Sequence, residues 1–74
     1  MLVANKMIEN LINEDNDICR ITLRTYAYDG LGEPTSDLYQ VDCYSCRQLC
    51  QTEEFETIEE ARQFAQEWLA GVAV

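Results

Sequence analysis

The residues of this chain best equipped for chemistry are four cysteines, Cys19, Cys43, Cys46 and Cys50, and a large excess of carboxylates. Four thiolates are a complete tetrahedral donor set for zinc, and such a site would help a chain of 74 residues hold together. The spacing argues the other way. Strong zinc signatures use two CxxC knuckles, whereas Cys43 and Cys46 form one pair and Cys19 and Cys50 stand apart. If the backbone is extended through Cys46, a separation of three sends Cys43 and Cys46 to opposite faces. Iron–sulfur and thioredoxin-like patterns fit less well, since the ferredoxin spacing and a CxxC opening a helix are both missing. The expectation is four reduced structural thiols and no cofactor, with a zinc-stabilised adaptor held by all four cysteines as the alternative.

The carboxylates offer binding rather than catalysis. Fourteen acidic residues face five basic ones, there is no histidine, and the net charge is −9. With no histidine, no glycine-rich phosphate loop and no nucleophile elbow, no enzymatic activity is expected. The same imbalance argues against direct nucleic-acid binding and against docking on anionic lipid, because both require a basic patch. Glu53, Glu54, Glu56, Glu59 and Glu60 crowd together near the C-terminal third, and Asp29, Glu33 and Asp37 surround a central loop. Locally, acidic residues in a first helical turn complement the positive end of the helix. Taken over the whole chain, the excess is broader than one helix end. A rigid acidic domain can present rows of carboxylates to the basic groove of a nucleic-acid-binding protein. In its small size, acidity and lack of catalytic residues the chain resembles in type the small phage-encoded inhibitors of host defence nucleases, anti-CRISPR proteins included. No family motif carries that resemblance.

The elements that must position these residues are read from periodicity. Val3, Met7, Ile8, Leu11 and Ile12 recur at helical spacing and predict an amphipathic N-terminal helix ending near Asn13. From Ile18 to Tyr28 the period changes to two, and a second strand is expected from about Leu38 to Tyr44. The glycine- and proline-containing stretch 29–36 closes them into an antiparallel hairpin. Pairing Leu23 with Cys43 matches the apolar residues and sets Arg24 across from Asp42. Residues 47–52 are either a short third strand or a helical turn. Thr57-Ile58-Glu59-Glu60 is a capping box, followed by an apolar stripe of Ile58, Ala61, Phe64, Ala65, Trp68 and Leu69, with Gly71 as the C-terminal stop.

The expected architecture is a single α+β domain over residues 1–74. It has an N-terminal helix, an antiparallel hairpin with a possible short third strand, and a C-terminal helix, both helices packing on the sheet. Tyr26, Tyr28 and Tyr44 share the hairpin's outer face. Under a helix they are core; left open, they form a protein-binding patch and make the chain a subunit or assembly factor. The apolar C-terminus, Val72-Ala73-Val74, folds back, pairs at an edge or meets another subunit. With no secretory leader and no apolar run of bilayer length, a cytoplasmic protein is expected, monomeric or weakly homodimeric. Its expected partner is a basic protein.

Overall fold

The structure is a computed structural model that describes residues 2–26 and 36–71. Four strands, β1 (Leu2–Ile12), β2 (Ile18–Tyr26), β3 (Ser36–Ser45) and β4 (Gln48–Phe55), precede one helix, α1 (Ile58–Leu69). The strands form an antiparallel sheet in the order β1-β2-β3-β4, so each strand pairs with its sequence neighbour. The helix crosses one face of this meander. Thr57 caps the helix: the Glu60 backbone N–H donates to Thr57 Oγ1 at 3.2 Å, and the Glu60 carboxylate reaches back to the Thr57 hydroxyl, which donates to it at 2.9 Å, rather than to the Thr57 backbone. At the other end Gly71, with φ of +73°, adopts the left-handed conformation in which a side chain is costly.

The expected N-terminal helix is a strand, and β-bulges explain why it looked helical. Opposite β2, Leu2 pairs with Tyr26 and Ala4 with Thr25, and farther on Met7 pairs with Thr22 and Glu9 with Ile21. Val3 and Ile8 are therefore extra residues without a partner. Each bulge reverses which face the following residues point to. Met7 and Ile12, five apart, end on one face, and Leu11 falls on the other. Two breaks in a period of two imitate a period of 3.6. The sheet consequently has four strands rather than a hairpin, and one helix rather than two packs on it among the described residues.

Of the stretch 47–52, Arg47 lies in a turn and residues 48–52 are strand. Cys46 and Arg47, at φ of 54° and 65°, make a two-residue turn with both central residues left-handed, as in a type I′ hairpin. Another irregularity follows: Tyr44 pairs with Leu49 but Cys43 with Gln51, leaving Cys50 as the extra residue. That bulge separates Leu49 by three from the next residue on its face, Thr52, and hides the alternation.

The β2–β3 register also differs from expectation. Cys43 lies opposite Cys19, not Leu23, and Arg20 rather than Arg24 lies across from Asp42; Arg24 pairs with Leu38. The offset is four residues, an even number. Even slips preserve the face of every side chain, so matching apolar residues identifies faces without choosing among registers. β3 begins at Ser36, inside the stretch assigned to the loop; the remainder of that loop, and the C-terminal Val72-Ala73-Val74, lie outside the described residues.

The core lies between α1 and the two central strands. Cys19, Ile21, Val41, Cys43, Ala61 and Ala65 are fully buried, with Leu11, Tyr39, Phe55, Ile58, Phe64, Trp68 and Leu69 packed around them. Alanines at 61 and 65 let the helix backbone approach the sheet closely. Asn13 ties the far end of the helix to the β1–β2 turn. Its side-chain oxygen accepts from the backbone N–H groups of Asp15 and Asp17, both at 2.9 Å, and its amide donates to the Leu69 carbonyl at 2.8 Å. One side chain thus holds the turn and satisfies a terminal helix carbonyl.

Candidate functional site

The cysteines separate into two unlike pairs. Cys19 and Cys43 face each other beneath α1, fully buried, with their sulfurs 3.4 Å apart and the Cys19 thiol 3.8 Å from the Ala65 carbonyl. Burial pushes both thiols up from their ordinary range; for Cys19 the contact with Cys43 opposes this, and for Cys43 the contact with Cys19 adds to it. Cys46 sits in the β3–β4 turn and Cys50 at the β4 bulge, both exposed. The four-thiolate set of the zinc alternative is therefore divided between the core and one end of the sheet. Among the described residues, no three histidine, cysteine or carboxylate side chains are placed to share a metal ion.

The clustered carboxylates are distributed over three kinds of backbone. Glu53 and Glu54 belong to β4, Glu56 to the link, and Glu59 and Glu60 to the first turn of α1. The strand sends Glu53 and Glu54 to opposite faces: Glu53, opposite Val41, to the helix side, and Glu54, opposite Gln40, to the other. All five are exposed, as is Glu67 farther along the helix. From Gln48 to Gly71 six carboxylates accompany a single basic residue, Arg62. Arg62 is already engaged with Glu9 of β1, at 3.1 Å. Between β4 and α1 runs an open depression whose floor is the Phe55–Phe64 pair, centroids 5.3 Å apart, and whose rim includes Glu60 and Glu67. Asp37 is exposed on β3, on the helix side of the sheet, two residues before Tyr39, the partner of Phe55. Asp29, Glu33 and Tyr28 lie outside the described residues.

Tyr26 and Tyr44 lie on the face of the sheet opposite α1. No described helix covers that face, so these tyrosines are not part of the core beneath α1. Each carries a guanidinium over its ring, Arg24 at 5.6 Å from the Tyr26 centroid and Arg20 at 5.8 Å from that of Tyr44. Between them Arg24 donates to Gln40, whose amide donates to Asp42 at 3.0 Å, and the Thr52 hydroxyl donates to the same carboxylate at 3.0 Å.

The uncovered face also holds residues that the helical reading of the N-terminus had assigned to a buried stripe. Met7 and Ile12 are exposed there, as is Leu49 of β4. Ile12 pairs with Ile18, Ile18 with Tyr44 and Tyr44 with Leu49. Those four side chains form one apolar row across the whole sheet, at the end that bears the two tight turns. The sequence held a signal for half of it: Ile12 and Ile18 flank the turn-forming run Asn13–Asp17, as hairpin partners do.

Neither family models, curated proteins nor solved structures match this chain.

Proposed function

We propose that this protein is a non-enzymatic binding module whose β4–α1 limb presents carboxylates to a basic surface of a partner protein, acting as an inhibitor or regulator of a nucleic-acid-binding partner. The observation that carries this reading is the charge asymmetry of that limb: besides Glu54 on the other face, five exposed carboxylates and one arginine, the arginine held by Glu9. Exposed carboxylates of this kind add little to folding. Their combined field attracts a basic partner and accelerates encounter. The aromatic floor between β4 and α1 adds a surface on which the alkyl stems of lysine or arginine can lie.

Reversal of Glu53, Glu56 and Glu67 to lysine tests this directly. The set spares Glu60, which caps the helix, and Glu54, which lies on the other face. A pull-down from the source cell at low and moderate salt identifies the partner. The wild type should then displace nucleic acid from that partner, with affinity falling steeply as salt rises, and the triple variant should do neither while keeping its fold. Simultaneous binding of protein and nucleic acid to the partner, or indifference to salt, overturns the reading.

A further inference from the structure

Among the described residues, the sheet face opposite α1 differs in charge from the rest. Arg20, Arg24, Asp42 and Glu54 all fall on it, two positive and two negative, so the face is balanced on a chain of net charge −9. The excess negative charge of the described residues therefore lies on the helix side, in the turns and along α1. Across the balanced face runs the row Ile12–Ile18–Tyr44–Leu49, with Ile12 63% and Leu49 53% exposed. The next row toward the sheet's middle is Asn10–Arg20–Asp42–Thr52.

We infer that this face is the contact between two copies of the chain, stacked sheet on sheet about a two-fold axis parallel to the strands. Such a rotation lays β1 over β4 and β2 over β3 and keeps every row in place. Ile12 then meets Leu49 of the other copy, and Ile18 meets Tyr44. In the next row Arg20 faces Asp42 of the other copy, twice by symmetry, and Asn10 faces Thr52. In these two rows the face is thus complementary to itself in apolar pattern and in charge, as an isologous contact requires, while farther from the turns Glu54 falls over Met7 and Arg24 over Leu38 of the other copy. Other stackings do not do this; a two-fold axis along the rows carries the polar rows away from one another.

Repulsion between the acidic surfaces does not oppose this arrangement strongly. Packed layers stand about 10 Å apart, so the two helices lie on the outside, roughly 30 Å from each other. That exceeds the Debye length of about 8 Å at physiological salt. The footprint sets the strength. Four strands about 4.8 Å apart, over about seven residues at 3.4 Å, cover roughly 450 Å² in projection. This is smaller than the roughly 800 Å² per partner of a standard stable interface, so the dimer is weak and reversible. It presents two acidic limbs on opposite sides, a bivalent form of the surface described above.

Sedimentation equilibrium from low micromolar to millimolar protein tests the contact, with circular dichroism and Trp68 fluorescence to verify that each variant is folded. The wild type should be a concentration-dependent dimer that persists as salt rises, unlike binding to a basic partner. Leu49→Glu should remain monomeric throughout. Arg20→Asp should weaken the dimer about tenfold or more, and adding Asp42→Arg should restore it. A wild type that stays monomeric at every concentration overturns the inference and assigns the face to a different partner. A dimer indifferent to Leu49→Glu, or one that the charge exchange fails to restore, overturns it as well.

Discussion

The two faces of one sheet are built from the same strands, yet they have different chemical fates. On the helix side Cys19, Ile21, Val41 and Cys43 are fully buried, and the surrounding residues complete a thin core. On the other side a row of comparable apolar character, Ile12–Ile18–Tyr44–Leu49, has no described cover, and the charges beside it cancel. Strand alternation by itself provides two apolar half-faces. The location of the one helix decides which becomes core and which remains available for contact. In this chain the buried core is concentrated on one face, and the apolar row of the other stays exposed at Ile12 and Leu49.

The contrast can be broken most forcefully by truncating one isoleucine on each side. Ile21→Ala should cost about 3–4 kcal/mol, because a fully buried side chain leaves a cavity between α1 and the central strands. Ile12→Ala should change stability by less than about 0.5 kcal/mol at low protein concentration, where the proposed contact between copies is dissociated. Urea denaturation of both variants measures the difference. Similar losses would mean that the open face is covered in solution.

Asn13→Ala is expected to cost about 2 kcal/mol, since it removes both the turn's internal acceptor and the donor to the Leu69 carbonyl. Its signature is faster amide hydrogen exchange at the C-terminal end of α1 together with the β1–β2 turn. Thr57→Ala should cost nearer ~1 kcal/mol through loss of the cap at the opposite end of the helix. Exchange at the first turn of α1 should rise while the β1–β2 turn is unaffected.

The thiols sharpen the same contrast with little energy involved. Cys46 and Cys50 should react with an alkylating reagent in the folded protein, and Cys19 and Cys43 only after unfolding, as mass spectrometry of timed samples would reveal. The buried pair also implies a direction with pH. Burial raises both thiols, so the folded state keeps protons that the unfolded chain releases. Their contribution is fully present below the ordinary thiol range, about pH 8.5, and is lost progressively as pH rises above it. Replacing the pair with Cys19→Ala and Cys43→Val should flatten that alkaline decline in denaturation midpoints.

Sequence alone was sufficient where the determining interactions are short-range. The capping box at Thr57–Glu60, the stripe Ile58–Leu69 and the stop at Gly71 each involve neighbours within one or two helical turns, and α1 is where they place it. The alternation in β2 and β3 assigns faces for the same reason, and the net charge needs no fold at all. The acidic limb was legible as a cluster, but its division among strand, link and helix was not. Tertiary structure decided the rest. Unpaired residues at Val3, Ile8 and Cys50 exist only relative to a partner strand, so β1 imitated a helix and β4 lost its period. The register of β2 on β3 depends on long-range pairing that an even slip leaves indistinguishable in pattern. Which face became the core depended on where α1 came to lie, and that is a property of the packed chain rather than of any segment within it.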